Sequence, residues 1–287
     1  MHPVLVHIPF IHQPIHMYGA LILVGFLLAL QVSKWYALKQ GIQEQDVMDF
    51  AFWALLGGLI GARIVFIAVN WEEYFVTNPW TELGSLGITI PSAFTFWQGG
   101  LVYWGGFLGG FAASIVYAWA RKLPSLQFFD ILVVGVPLAQ VFGRFGCIAS
   151  GCCYGRALSS PESIGLRFPA GSAAYDTLIH SSELPLREYM IEHAHTWPLF
   201  PSQLLESAGS LVLFFALVYL ANRKRFHGQL LLTYAAAYSV MRSAIELFRG
   251  DLERGYVLDG ILSTSQFISL CVILITLSAT MALKSRP

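Results

Sequence analysis

No charged side chain occurs between Gly99 and Ala120 or between Gly260 and Leu283. Each of these apolar runs is long enough, as a helix, to cross roughly 30 Å of hydrocarbon. A bilayer offers no water to the backbone, so such runs survive there only as helices or as strands of a closed barrel. Five further runs of the same kind lie at about 17 to 33, 48 to 70, 128 to 149, 204 to 222 and 229 to 248. Together the seven predict an all-α integral membrane protein with seven transmembrane helices. Composition agrees, with 56% of the 287 residues hydrophobic and 12% charged, whereas soluble domains carry about 25% charged residues. Met1 to Ser33 contains no Lys or Arg and no small-x-small cleavage site, so the first run is expected to be a retained helix rather than a signal peptide.

Lys and Arg collect in short loops on the cytoplasmic side of a membrane. Of the 17 in this chain, Lys34, Lys39, Arg121, Lys122, Arg223, Lys224, Arg225, Lys284 and Arg286 fall on one side of the predicted helices. Arg156, Arg167, Arg187, Arg249 and Arg254 fall on the other, offset by acidic neighbours. The N-terminus is therefore expected to be extracytoplasmic and the C-terminus cytoplasmic. The long connection at about 150–203 mixes Pro, Ser, Glu and His and predicts a small extracytoplasmic cap. The connection at about 71–98, with "WEEYF" and "FTFW", predicts an interfacial arm rich in aromatic residues. Residues 1–287 read as a single polytopic membrane domain. No basic patch points to a nucleic-acid partner.

Three arginines remain, Arg63, Arg144 and Arg242, and all lie inside predicted spans. An arginine in a membrane helix is costly and normally faces a polar interior. Each follows its helix start by roughly 14 to 17 residues, or about 20 to 25 Å at 1.5 Å per residue. All three helices run outward, so the guanidiniums are expected to share one level in the outer half of the bilayer and to meet in one chamber. The planar fork of Arg suits carboxylate and phosphate oxygens, which predicts an anionic headgroup site. The alternative is that each simply pairs with protein acceptors. Only Arg242 has an acidic residue at helical spacing, Glu246, with Tyr238 and Arg249 extending the stripe.

The cysteines of "GRFGCIASGCCYGR" (143–156) admit three readings. Structural zinc takes four ligands, usually in spaced pairs, which Cys147, Cys152 and Cys153 do not supply. Disulfides form in extracytoplasmic settings, but residues five apart need the helix to break between them. Unpaired thiols packing as small apolar groups are the expectation, with no metal. His12 and His16 have the spacing of a helical metal pair but no accompanying carboxylate, and interfacial packing is expected for them. The clusters "GGLIGAR" (57–63) and "GGLVYWGGFLGG" (99–110) are expected to permit close helix packing.

Six blocks in order resemble the prolipoprotein diacylglyceryl transferases of the bacterial cytoplasmic membrane. They are "HMYG" (16–19), "GARIVFIAVN" (61–70), "WQGGLVYWGG" (97–106), "GRFG" (143–146), "PSQLLES" (201–207) and "MRSAIELFRGDLERG" (241–255). The resemblance implies a multi-pass inner-membrane transferase in lipoprotein biosynthesis, with phosphatidylglycerol and the lipobox segment of a preprolipoprotein as partners among the membrane lipids. The diacylglyceryl group passes to the lipobox cysteine thiol, forming a thioether and releasing glycerol phosphate. No cofactor and no enzyme cysteine nucleophile are implied. Matching positions are Tyr18, Arg144, Arg242 and Glu246: Arg144 and Arg242 for the phosphate, Glu246 orienting Arg242, and Tyr18 lining the lipid pocket. Arg63, Arg249, Gly99, Gly100, Gly143 and Gly146 are the lipid-binding candidates. Where the enterobacterial form has a histidine assigned to proton transfer, this chain has Trp104 after Tyr103, and Cys147 and Cys152 replace a polar asparagine and glutamate. Thiol deprotonation then falls to Tyr103, Glu246 or the field of the arginines. Alternatives are a paralogous lipid-modifying enzyme with another acceptor and a non-catalytic lipid or anion transporter.

Overall fold

The computed structural model describes residues 4–7, 14–82, 89–95, 100–181, 183–250, 255–257 and 262–284. Each of the seven apolar runs is helical: α1 (Met17–Lys39), α2 (Glu44–Val69), α3 (Tyr103–Ala120), α4 (Ser125–Ser150), α7 (Ser202–Ala221), α8 (Gln229–Glu246) and α9 (Thr264–Lys284). Five of them, α1, α2, α4, α7 and α9, are long and apolar enough to cross a membrane. The other two are 18 residues each, close to the minimum at roughly 27 Å. Arg242 and Glu246 lower the apolar character of α8. Short antiparallel hairpins join β1 (Val4–His7) to β2 (Pro14–His16), β3 (Trp80–Glu82) to β4 (Thr89–Pro91), and β5 (Tyr256–Val257) to β6 (Leu262–Ser263).

The chain divides into two compact units, Tyr36–Phe128, and Met1–Trp35 with Phe129–Pro287. In the Tyr36–Phe128 unit, α2 and α3 pack backbone to backbone through the two glycine clusters, as the small-residue spacing predicts. A Cβ at Gly61 would strike the carbonyl oxygen of Gly105 and lie 2.8 Å from the Cα of Gly109, and a Cβ at Gly58 would lie 3.2 Å from the Gly106 oxygen. Gly61→Val is therefore expected to push the helices apart and to cost at least the ~1–3 kcal/mol of overpacking. Thermal unfolding in detergent should show a large fall in Tm, whereas Gly19→Ala, where an added methyl meets nothing within 4 Å, should show none. Equal effects at the two positions would reject this packing.

The connection predicted as an interfacial arm follows in the same unit: a π-turn at Glu73–Thr77, the β3–β4 hairpin and a 3₁₀ turn at Ser92–Phe94. Within the larger unit, α1 lies along α4 at small residues. A Cβ at Gly135 would be 2.8 Å from Ala29 Cα, one at Gly25 2.9 Å from Phe142 Cβ, and one at Gly146 2.8 Å from the ring of Tyr18. The segment after α4 forms two short helices absent from the sequence reading, α5 (Ala173–Ser181) and α6 (Leu184–His193). It packs around Tyr154, Phe168, Ala174 and Leu199, each 5% exposed or less.

One buried carboxylate sets the level of α8 against α4. Asp130, fully buried, accepts the N–H groups of Gly228 (2.9 Å), Leu230 (2.9 Å) and Leu231 (3.0 Å), with Lys224 Nζ at 3.4 Å. It thus serves from another helix as the N-cap that α8 lacks locally. From this anchor both helices run the same way, so Arg144 lies about 21 Å along α4 and Arg242 about 18 Å along α8.

Candidate functional site

At that shared level the helices contribute opposite charges. Arg144 Nη2 donates to Glu206 Oε1 of α7 at 2.6 Å, and the hydroxyl of Tyr238 on α8 donates to the same oxygen at 3.1 Å. Glu206 is 3% exposed and Arg144 21%. One turn beyond Tyr238, Arg242 Nη1 meets Glu246 Oε2 at 2.6 Å, the carboxylate again 6% exposed. The i,i+4 pair expected from the sequence is thus formed. Glu206 and Tyr238 link the Arg144 station to the Arg242 station across three helices. A guanidinium has five N–H donors, so a carboxylate that takes one of them orients the fork and leaves donors for a ligand anion.

Further polar groups line the same elements. Gln203, Glu206, Ser207 and Ser210 recur at helical spacing on α7 and all are buried. Gln203 Oε1, Ser207 Oγ, Ser210 Oγ and Gln140 Oε1, the last one turn before Arg144, have no hydrogen-bond partner among the described residues. Buried polar atoms are normally satisfied, and a cluster that is not is suited to a polar ligand. Glu206 and this face were not foreseen, because the partner of Glu206, Arg144, lies 62 positions away in the chain. The signal was present in the spacing of Gln, Glu, Ser and Ser through an otherwise apolar run.

Tyr18 rests on Gly146, which brings the first helix to the Arg144 segment. A Cβ at Gly143 would meet nothing within 4 Å. Arg249 does not extend the α8 stripe as a helical residue, because the helix ends at Glu246. Instead it forms a bridge with Gly155, flanked by Arg156 N–H donating to Phe248 O at 3.0 Å.

Arg63 belongs to the Tyr36–Phe128 unit, and its guanidinium is engaged there. Nε donates to Ala93 O at 2.9 Å, Nη2 to Ser92 O at 3.0 Å and Nη1 to Gly100 O at 3.3 Å, with the rings of Phe66 and Tyr74 at 5.4 and 5.2 Å. It is 7% exposed. These bonds fasten the arm to α2, so the donors expected to reach a headgroup are taken by backbone carbonyls. Gly100, at φ +83° against the Phe66 ring, is part of that clamp. Gly99 lies outside the described residues. Tyr103 is 75% exposed and edge-on to Trp104. His16 is in β2 rather than a helix, and His12 lies outside the described residues.

The three cysteines of the α4 terminus come together, their sulfur atoms all within 4.8 Å of one another. Arg144 Nη1 is 3.9 Å from Cys147 Sγ. Cys153, beyond the helix end, has its thiol held well below the ordinary range by hydrogen bonds from Cys147 and Cys152, assisted by the charges of Arg144 and Arg249.

The sequence model of the family described as prolipoprotein diacylglyceryl transferase matches residues 3–282. A phosphatidylglycerol–prolipoprotein diacylglyceryl transferase of Clostridium tetani is 31% identical over 261 residues, covering 91% of this chain and 90% of that protein. The protein of the same name from Clostridioides difficile is 30% identical over 253 residues, 88% of this chain and 84% of its own. One from Rhodopirellula baltica is 32% identical over 167 residues, 58% of this chain, which spans about a third of that longer protein. Two arginine–carboxylate stations inside apolar helices, together with a match that runs through all of those helices, make this chain a member of the prolipoprotein diacylglyceryl transferase family.

Proposed function

We propose that this protein transfers the diacylglyceryl group of phosphatidylglycerol to the cysteine thiol of a preprolipoprotein lipobox. The observation that carries the reading is the pair of arginines, each set by a buried carboxylate and joined through Glu206 and Tyr238, within helices otherwise suited to hydrocarbon. Phosphatidylglycerol offers that site a phosphate anion on two acyl chains. Arg144 and Arg242 bind its oxygens, Glu206 and Glu246 orient the forks, and Tyr18 lines the acyl entrance. The acceptor thiol gives its proton to water, its sulfur forms a bond to the glyceryl carbon, and the carbon–oxygen bond to phosphate breaks. The electron pair leaves on glycerol phosphate, where the two guanidiniums stabilise it. Tyr103 and Arg63 have no step in this scheme. All seven long helices span the bacterial inner membrane, with the 150–203 cap and the N-terminus outside.

Purified protein given phosphatidylglycerol and a lipobox peptide should add a diacylglyceryl group to the peptide, seen by mass, and release glycerol phosphate in equal amount. Release without lipidation would identify a relative with another acceptor. Lipid flux in vesicles with no turnover would identify a transporter.

A further inference from the structure

The end of α4 is a Schellman turn. Gly151 takes φ +70°, Cys152 N–H returns to Cys147 O at 3.0 Å, and Gly151 N–H to Ile148 O at 3.3 Å. In this motif the side chains at the two ends of the longer bond meet, usually as an apolar contact. Here both are thiols. Cys153 follows at φ +60°, a left-handed conformation that costs a non-glycine residue on the order of 1–3 kcal/mol. Two donors from α7 hold the chain in it: Ser202 Oγ to Cys153 O and Gln203 Nε2 to Cys152 O, both 2.9 Å. The result turns a third sulfur onto the first two.

Three sulfurs at this separation are a donor set for a soft metal ion. Tetrahedral zinc, with Zn–S about 2.3 Å, sets its sulfurs roughly 3.8 Å apart, inside the 4.8 Å found here. Structural zinc has four protein ligands, whereas catalytic zinc has three and an open position. Among the described residues no fourth Cys, His or carboxylate joins the cluster. Arg144 Nη1 stands beside the cluster, 3.9 Å from Cys147 Sγ.

We propose that Cys147, Cys152 and Cys153 bind one zinc ion whose fourth position takes the acceptor peptide's cysteine thiol, beside Arg144. This rests on the diacylglyceryl-transfer reading. A coordinated thiol is deprotonated, so its proton passes to water as the peptide binds. The sulfur lone pair forms the bond to the glyceryl carbon, the carbon–oxygen bond breaks, and its electron pair leaves with the phosphate. The thioether product, a weak ligand, then dissociates from the metal. Nothing is oxidised or reduced. The three thiols are unpaired, as the sequence led us to expect, and the turn at the end of α4 brings their sulfurs together.

The full chain is purified in detergent without chelator and its metal measured by mass spectrometry, then replaced by cobalt(II). About one zinc per chain is expected, as for a mononuclear site, with sulfur-to-cobalt charge-transfer absorption after replacement. A lipobox peptide should shift that spectrum and its Cys→Ser version should not. Cys153→Ser should lose the signal and Cys271→Ser, on α9, should keep it. Chelation should lower transfer by at least about 10²-fold, the usual worth of activating a nucleophile, with recovery on adding zinc. Titration of the unmodified chain keeps the test valid where a cysteine variant misfolds. Absence of metal with normal lipidation overturns the zinc site and leaves the transfer reading intact. A cobalt spectrum that answers to the peptide thiol without any lipid transfer upholds the site and overturns the transfer reading. A spectrum indifferent to the peptide, or a disulfide between these cysteines, overturns the proposal.

Discussion

Arg144→Ala is expected to lower the turnover of lipobox peptide by about 10²–10³-fold, the usual loss when a donor to a developing oxyanion is removed. The substitution also strips Glu206, 3% exposed, of its charge partner, while the Tyr238 hydroxyl still donates to it. Stability falls with activity, and the two effects have to be separated. Arg144→Ala combined with Glu206→Gln removes the unpaired charge, so thermal unfolding should return toward the parent value while turnover stays low. Arg144→Lys keeps the charge but loses the fork that serves Glu206 and a phosphate together, and intermediate turnover is expected. Full turnover in the double variant would make Arg144 a structural partner of Glu206 and remove the phosphate assignment.

The second large effect belongs to Arg242→Ala. Its partner Glu246 is 6% exposed, and breaking a buried pair from one side costs about 3–5 kcal/mol. A marked fall in Tm is expected, with kcat/KM for phosphatidylglycerol down by about 10²-fold. Arg242→Ala with Glu246→Ala should recover most of the stability and none of the activity. The kinetics also locate the interaction. A rise in KM alone places Arg242 on the bound headgroup, whereas an equal loss in kcat and kcat/KM places it on the leaving phosphate. Recovery of activity in the double variant would mean that Arg242 serves only to neutralise Glu246.

Much of the architecture was legible because a bilayer leaves the chain few choices. Each uncharged or nearly uncharged run became a helix within a few residues of its expected limits, and the glycine clusters became the α2–α3 contact. The Arg242–Glu246 pair was legible too, since i,i+4 spacing on a helix guarantees proximity. By contrast, α5 and α6 were not foreseen: they are 9 and 10 residues long, and Leu184–His193 carries no apolar periodicity to mark it. Arg63 shows the limit of reasoning from residue type. Its sequence context matches that of Arg144, but its nitrogens are bonded to the carbonyls of Ser92, Ala93 and Gly100, up to 37 positions away.

The same contrast divides the candidate site. Hydropathy and charge placement by themselves determined that helices form, and that arginines within them need polar company, because both follow from the cost of exposing backbone and charge to hydrocarbon. Which carboxylate meets which arginine was decided only by tertiary structure. Asp130 on α4 caps α8 from 98 or more residues away and so sets Arg144 and Arg242 at one level, and α7 then carries Glu206 between them. The cysteine triangle likewise depended on a turn held by Ser202 and Gln203, about 50 residues along the chain. Local sequence specifies periodicity and turn type, whereas pairing between distant segments is chosen by the packing that buries them together.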